Sequence, residues 1–249
     1  MIKEQIKNFY NQQSKKRDNT RKKPWPEFQV ILERIKKTRK KNIKILDLGC
    51  GNARLLDFLT SSQDIHKKNI NYVGVDLSEN LIKIVQEKFP NSTFQCSDMI
   101  EFLEGEKQED YDFVFMVASF QHIPIENERL LILKNIYRIL KYKWELLSIN
   151  WCFSKWFIQK YKKSITKSLL KTFISLWYHK FNDLYIPWKW ELKIYQRYYH
   201  IFTEKEKKEL LLLSWFVLQD FIFLDNKWEK VSSYKWRNSI AVAKKDVIY

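Results

Sequence analysis

Short apolar segments alternate with amphipathic segments along most of the first 150 residues. Each apolar segment is rich in Val, Ile, Leu or aromatic residues, which is typical of buried strands. The five segments are IKILDLGCG (43–51), NYVGVDLS (71–78), TFQCSD (93–98), YDFVFMVAS (111–119) and ELLSINW (145–151). Between them, apolar residues recur at helical spacing. This β-α-β-α order predicts an α/β fold built on a doubly wound parallel sheet.

Two stretches of the chain depart from this alternation. Residues 1–42 predict a basic N-terminal arm, either an amphipathic helix or disordered, followed by a helix. Residues 152–200 are rich in lysine and aromatic residues and predict a mostly helical insertion. We therefore divide the chain into an N-terminal segment, 1–42, and an α/β domain, 43–249, that contains the insertion.

The pattern of the α/β domain resumes after the insertion. Thr203 and Glu206 have the spacing of a helix-capping box, so we expect a final helix to begin there. Two further apolar segments, 216–224 and 238–245, predict strands that close the sheet as an antiparallel pair.

The basic residues are concentrated in the two flanking segments. The formal net charge is +16, with 15 Lys+Arg against 4 Asp+Glu in residues 1–44 and 10 against 2 in residues 150–200. Residues 45–149 are mildly acidic, with 11 Lys+Arg against 16 Asp+Glu. This distribution favours a polyanionic partner for the flanks. A generic, solvated lysine surface is the alternative.

No segment has the pattern of a secretion signal or a membrane span. The cysteines Cys50, Cys96 and Cys152 are far apart and lack metal-ligand spacing, so we expect no metal site. A reduced, cytoplasmic protein without a membrane partner is the simplest interpretation. Because lysines and aromatic residues alternate over residues 153–178, a role at a membrane surface is a less favoured alternative.

The segment DLGCGNAR, residues 47–54, holds two of the four glycines in the chain. A glycine turn between a strand and a helix lets a ligand approach the backbone. Asp76 ends the next strand, where a carboxylate can accept both hydroxyls of a ribose, and Asp98 follows the third, where an adenine would lie. A nicotinamide-binding domain would favour a third glycine where Ala53 and Arg54 stand. The alternative is that carboxylates such as Asp98 only cap turns.

Taken in order, the motifs ILDLGCGNARLL, YVGVDLS, CSDM and YDFVFMVASFQHI resemble those of the class I S-adenosylmethionine-dependent methyltransferases. The resemblance covers residues 43–150 together with the final helix and hairpin. It implies a Rossmann-like sheet of seven strands with the last strand antiparallel, and S-adenosylmethionine as the cofactor. The cofactor-binding residues that it implies are Asp47, Gly49, Cys50, Gly51, Asp76, Leu77, Asp98, Met99 and Ala118.

Three segments outside the cofactor motifs resemble a narrower group. TRKKPWPEF (20–28), FQHIPIENERLLIL (120–133) and YIPWKWELKIYQRYYHIFTEKE (185–206) are similar to the eukaryotic-type tRNA wobble-uridine methyltransferases and to the methyltransferase domain of the AlkB-homologue tRNA modifiers. Because these enzymes esterify 5-carboxymethyluridine, the resemblance implies the tRNA anticodon loop as partner, and no DNA. It leaves a small activator protein open as a second partner.

The narrower resemblance also implies residues for the methyl acceptor. The catalytic residues are His122, Arg197, Tyr198 and His200, and the substrate-binding residues are Arg21, Trp25 and Trp188. A carboxylate is already ionised at neutral pH, so esterification needs no general base, and alignment with exclusion of water supplies most of the acceleration. Ordinary packing is the alternative for the tryptophans, and a structural role is the alternative for the histidines. The chain departs from the family at Gln121, often histidine, and at Ala53, often glycine.

Two other functions fit parts of the sequence. A small-molecule O- or N-methyltransferase predicts an apolar acceptor pocket under the insertion and no binding to RNA, which the basic flanks disfavour. An RNA-binding subunit without catalysis is the second alternative. The intact glycine turn, Asp76 and Asp98 argue against it.

Tryptophan stands at several positions where the family resemblance places glycine. The chain has ten tryptophans and four glycines, whereas average usage gives about 17 glycines in this length. Trp144 and Trp236 stand where turns into strands are expected, and Trp215 stands at an expected helix C-cap. Trp190 and Trp228 are similar candidates. We hypothesise that these are UGA codons, which the source organism reads as glycine and which are translated here as tryptophan.

The nucleotide sequence tests this hypothesis. We expect TGA codons at 144, 215 and 236, and TGG at Trp25 and Trp188, which match tryptophan in the family. TGG at all five positions would contradict the hypothesis, and the first three side chains would then need pockets of their own.

Overall fold

The fold is a seven-stranded sheet with helices on both faces. A computed structural model of the chain describes residues 2–20, 23–175, 180–190, 193–224, 229–231 and 238–246. The strands are β1 Asn42–Leu48, β2 Asn69–Asp76, β3 Thr93–Cys96, β4 Tyr111–Val117, β5 Leu140–Trp151, β6 Asp183–Trp190, β7 Lys193–His200, β8 Phe216–Phe223 and β9 Asn238–Lys245. The helices are α1 Ile2–Thr20, α2 Phe28–Lys37, α3 Arg54–Thr60, α4 Glu79–Lys88, α5 Met99–Gly105, α6 Glu126–Ile139, α7 Lys155–Ile174 and α8 Glu204–Leu213.

The order of strands in the large sheet is β3-β2-β1-β4-β5-β9-β8. Strands β1 to β5 pair in parallel, and β9 is antiparallel to both of its neighbours. This confirms the predicted α/β class and the antiparallel last strand. Because the strand order reverses beside β1, ligands of such sheets bind at the carboxyl ends of β1 and its neighbours.

Two hydrophobic cores lie on the two faces of the sheet. Successive residues of a strand point to opposite faces, so Ile43 and Ile45 of β1 enter one core while Leu46 and Leu48 enter the other. Helices α2, α3 and α4 cover the first core, and α5, α6 and α8 cover the second. Fully burying a side chain of this size contributes about 1.5–3 kcal/mol. Both faces of the sheet are therefore covered by packed helices, so a ligand can reach the sheet only at the ends of its strands.

The insertion is helical only in its first half, so the expectation of a mostly helical segment was wrong for its second half. Strands β6 and β7 form an antiparallel hairpin that pairs Asp183 with His200. Leu184, Ile186 and Tyr199 alternate with outward residues and pack on Phe157 of α7 in a third, smaller core. In this segment buried and outward residues alternate with the period of two that is typical of a strand. This alternation determined the local structure, although the lysine-rich composition had suggested a helix.

The N-terminal arm is a helix in the structure, and it packs on α4 and β7. Lys7 Nζ lies 2.9 Å from Glu79 Oε1, and Ser78 Oγ donates to Asn11 Oδ1 at 2.7 Å. In the described part of the chain, no helix has both the length and the hydrophobicity needed to cross a membrane.

The structure tests two of the tryptophan positions. Trp215 follows α8 with a φ of +66°, the left-handed conformation that favours glycine at a helix C-terminus. At Trp144 the expectation is wrong by one residue: the left-handed residue is Lys143, with a φ of +67°, at a bulge in the pairing of β5 with β4. Trp144 itself packs edge-on against Phe113, with 5.1 Å between the ring centroids. Trp228, Trp236 and the side chain of Trp190 lie outside the described residues.

We expect glycine to be better than alanine at position 215, the reverse of their usual order. The free energy of unfolding of Trp215→Gly should be about 1 kcal/mol higher than that of Trp215→Ala. Both variants lose the contacts of the indole ring, but only alanine is strained by the left-handed backbone conformation. Leu212, an exposed residue inside α8, is the matched control. There, glycine should be about 1 kcal/mol worse than alanine. Urea denaturation of the four variants measures both differences, and equal ordering at the two positions would contradict the prediction.

Candidate active site

A cavity lies at the carboxyl ends of β1, β2 and β4, where the sheet topology places a ligand. All of the cofactor-binding residues implied by the sequence line this cavity: Asp47, Gly49, Cys50, Gly51, Asp76, Leu77, Asp98, Met99 and Ala118. Of the residues expected around the acceptor, His122, Arg197 and Trp25 also line it. Residues distant in the sequence are therefore brought together around one space.

The glycine turn after β1 is fixed by the neighbouring strand. The backbone N–H groups of Gly49 and Cys50 donate to the carbonyl oxygen of Val75 at 2.7 and 3.0 Å. Gly49 has a φ of +81°, and a Cβ there would lie 2.3 Å from Cβ of Ser119. Position 49 therefore requires glycine because a side chain there would clash with Ser119, and not because it would block a ligand. Gly51 has a φ of +58° with open space where a Cβ would be, so a ligand can approach its backbone.

Asp76 is held by two backbone groups at the cavity wall. Its Oδ2 accepts from Gly51 N–H and its Oδ1 from Ser78 N–H, both at 2.9 Å. These two hydrogen bonds fix the orientation of the carboxylate at the cavity wall.

Asp47 is a buried carboxylate with an unused oxygen. Its Oδ2 accepts from the Tyr72 hydroxyl at 2.6 Å, while Oδ1 has no hydrogen-bond partner within the described residues. Burial raises the pKa of Asp47 to about 7, against the opposing effect of the Tyr72 hydrogen bond. A cation at Oδ1 would satisfy this oxygen and keep the carboxylate ionised. The ammonium group of S-adenosylmethionine has that chemistry, so the residues present fit this cofactor.

Helix α1 covers the side of the cavity that is lined by Asp98. Lys3 Nζ lies 3.3 Å from Asp98 Oδ2 and 3.2 Å from Glu128 Oε1. The other oxygen of Asp98 accepts from Ile100 N–H at 2.8 Å and so caps α5. None of the residues predicted from the sequence to belong to the site lies in α1. The cavity is lined by Lys3, Ile6 and Tyr10 of this helix. In the sequence, only their helical spacing indicates that these three residues share one face of α1.

His122 lines the cavity in contact with α1. Its Nδ1 is 3.0 Å from the backbone carbonyl oxygen of Tyr198, and its Nε2 is 3.0 Å from the Tyr10 hydroxyl. Because a carbonyl only accepts, Nδ1 carries a hydrogen; when the ring is neutral, Nε2 accepts from the Tyr10 hydroxyl. The two residues form a hydrogen-bonded pair at the cavity wall.

Arg197 is a buried cation with no counter-ion among the described residues. Its guanidinium carbon lies 4.6, 4.8 and 5.0 Å from the ring centroids of Trp188, Phe9 and Tyr199, and the residue is 4% exposed. Its Nε has no hydrogen-bond partner, and within the described residues the guanidinium forms no ion pair. A buried charge of this kind is costly unless something pairs with it. Since Arg197 lines the cavity, an anionic ligand can supply the pair.

The structure places Tyr198 and His200 outside the lining of the cavity, whereas the sequence predicts that they act on the acceptor. Tyr198 donates from its hydroxyl to Asp183 Oδ1 at 2.5 Å. His200 is fully buried, with Nδ1 2.6 Å from Asp183 Oδ1 and Nε2 2.6 Å from Glu206 Oε1. The Tyr198 hydroxyl therefore bonds within the hairpin, and His200 joins the hairpin to Glu206 of α8.

The three expected substrate-binding residues have different positions. Trp25 lines the cavity, with the guanidinium carbon of Arg54 4.6 Å from its ring centroid. Trp188 packs against Arg197 and does not line the cavity. Arg21 lies outside the described residues.

Comparison with known proteins gives a family for the central part of the chain. Residues 45–143 match the family model described as "Methyltransferase domain". Among solved structures, a SAM-dependent methyltransferase from Methanosarcina mazei has a TM-score of 0.66 at 19% identity, covering 86% of this chain and 97% of its own. A complex of the Haloferax volcanii Trm112 methyltransferase activator with a putative methyltransferase has a TM-score of 0.63 at 12% identity, covering 100% and 99%. These structures share the fold.

The curated relatives include methyltransferases of two kinds. The tRNA (carboxymethyluridine(34)-5-O)-methyltransferases of Xenopus tropicalis (alkbh8) and Schizosaccharomyces pombe are 27% and 24% identical, over 61% and 78% of this chain. The ubiquinone/menaquinone biosynthesis C-methyltransferase UbiE of Campylobacter jejuni is 32% identical over 40% of it. The chain spans 21%, 80% and 34% of the lengths of these relatives. Residues 45–143 therefore resemble a methyltransferase domain, and the chain shares the fold of a SAM-dependent methyltransferase structure.

Proposed function

We propose that the protein methylates the carboxylate of 5-carboxymethyluridine at the wobble position of tRNA, using S-adenosylmethionine. The observation that carries this proposal is Arg197, a buried guanidinium at the cavity wall without a carboxylate partner among the described residues. A carboxylate acceptor would form charge-assisted hydrogen bonds with it. A neutral acceptor would leave the buried charge unpaired, at a cost in free energy.

The arrangement of the cavity suits transfer without a base. The cofactor supplies an activated methyl group on a positively charged sulfur. The acceptor carboxylate is ionised at neutral pH, so Arg197 needs only to orient it. Tyr10 and His122 close the wall beside it, and their mutual hydrogen bond leaves neither ring nitrogen of His122 free to take a proton from the acceptor. Orientation and the exclusion of water are then the main contributions of the protein.

The relatives give the proposal its substrate class. The tRNA methyltransferase of S. pombe aligns with 78% of the chain and therefore with more than the methyltransferase domain of residues 45–143, whereas UbiE aligns with 40%. The basic flanks are consistent with an RNA substrate, because cationic surfaces supply most non-specific affinity for phosphates. A small-molecule acceptor is the competing proposal, supported by the UbiE match. One structural neighbour was solved with the Trm112 activator, so we propose assays with and without such a protein.

Labelled S-adenosylmethionine tests the function directly. We expect methyl label to enter bulk tRNA that carries carboxymethylated wobble uridine, and not tRNA without that group. Asp76→Ala should abolish labelling, because the ribose hydroxyls lose their acceptor. Asp64→Ala, which removes an exposed carboxylate paired with Lys36, is the control and should label normally. Label in a small-molecule extract but in neither tRNA would overturn the proposal.

Arg197→Met should reduce kcat/KM for the carboxymethylated tRNA about 100-fold, which corresponds to about 3 kcal/mol for one partner of a buried charge pair. The affinity for S-adenosylmethionine should stay unchanged. Methionine fills the aromatic site without a charge, so the free energy of unfolding should not fall. Steady-state kinetics, cofactor titration and urea denaturation separate these quantities. If Arg197 serves only packing, Arg197→Met would keep full activity, and the carboxylate assignment would be wrong.

A further inference from the structure

Helix α7 is a cationic element outside the active site. Its 20 residues include six lysines and no acidic residue: Lys155, Lys160, Lys162, Lys163, Lys167 and Lys171. Phe157, Ser168 and Thr172 form its buried side. Lys163, Lys167 and Lys171 recur every fourth residue and therefore form one stripe, with about 6 Å of rise between successive lysines. Within the described residues, none of these three forms an ion pair with a carboxylate.

The stripe forms one wall of a groove, and the hairpin forms the other. Tyr185, Pro187 and Gln196 line the opposite side, together with Asp183, whose Oδ1 is already bonded to His200 and Tyr198. Pro187 pairs with Gln196 in the hairpin register, and Ile186 pairs with Arg197. Because adjacent residues of a strand point to opposite faces, the groove lies on the face opposite Arg197.

We infer that this groove, defined by Lys163, Lys167, Lys171, Tyr185 and Gln196, binds the phosphodiester backbone of the RNA substrate. The inference rests on the proposed function. The separation between successive lysines is comparable to that between phosphates of an extended strand, and three unpaired cations on one line match a linear polyanion. Tyr185 offers an aromatic ring, with Lys171 Nζ 5.5 Å from its centroid, and bases stack on such rings whatever their sequence.

The apolar side of α7 gives the competing interpretation. Leu170, Phe173 and Ile174 are 59%, 84% and 77% exposed, and lysines beside such residues also suit an anionic membrane. These residues do not line the groove, whereas the lysine stripe does. The groove therefore favours a strand that can enter between α7 and the hairpin over a flat lipid surface.

The test replaces the stripe by neutral residues of similar length. The groove variant is Lys163→Gln, Lys167→Gln, Lys171→Gln. The matched control, Lys37→Gln, Lys41→Gln, Lys67→Gln, removes the same charge from exposed lysines beside the amino ends of β1 and β2. Fluorescence anisotropy measures tRNA affinity at several salt concentrations. Turnover is measured on tRNA and on the free nucleoside 5-carboxymethyluridine.

We expect the groove variant to bind tRNA at least about tenfold more weakly, with a salt dependence, d log K/d log[salt], smaller in magnitude by about 2, since each lost phosphate contact removes about 0.7–0.9. Turnover of the free nucleoside should not change, and the control should match the wild type. Equal tRNA affinity in the groove variant and the wild type would overturn the inference. An equal loss of tRNA affinity in the groove variant and the control would also overturn the inference. A groove variant that binds tRNA normally but binds phosphatidylserine vesicles more weakly would overturn it as well.

The two proposals fail separately. If the wild type methylates the nucleoside and both variants bind tRNA normally, the proposed function stands and the groove does not. If the groove variant alone loses tRNA affinity while the wild type methylates no carboxylate, the groove stands and the proposed function does not.

Discussion

The site depends on one set of backbone hydrogen bonds that joins the turn after β1 to the end of β2. Gly49 and Cys50 donate to Val75, and Gly51 donates to Asp76. These bonds keep the turn open toward the cavity and hold the Asp76 carboxylate in place at the same time. They require left-handed backbone at Gly49 and Gly51, a conformation that glycine adopts without steric strain. The carboxyl-end edge of the sheet is thus a pre-formed surface for a ligand, and the helices and the insertion are arranged around it.

The sequence predicted the large sheet well because its central strands β1, β4 and β9 are buried along most of their length and therefore read as apolar segments. Prediction failed where two signals competed. In residues 183–200, lysines and aromatic residues suggested a helix, but inward alternation of Leu184, Ile186 and Tyr199 over a small core produced a hairpin. At Lys143 the left-handed residue lies one position before the expected Trp144, because a bulge in the pairing of β5 determines where the chain turns.

The cofactor side of the site was predictable for a simple reason: strand ends of a parallel sheet converge, so Asp47, Asp76 and Asp98 had to lie close together. The acceptor side was not. Tyr10 reaches His122 from α1 across 112 residues of sequence, and nothing local to either residue indicates the contact. Tyr198 and Arg197 are adjacent but point to opposite faces of the hairpin, so their different positions depend on a register that only the fold provides.

The position of α1 has a thermodynamic consequence. This helix contacts Asp98 through Lys3, His122 through Tyr10 and Arg197 through Phe9, so it bridges the two halves of the cavity. Any ligand that changes the position of α1 at one half alters the contacts at the other. Linkage then requires that each ligand change the affinity for the other by the same factor. Through the first helix, the affinity of each half of the cavity for its ligand is therefore coupled to the occupancy of the other half.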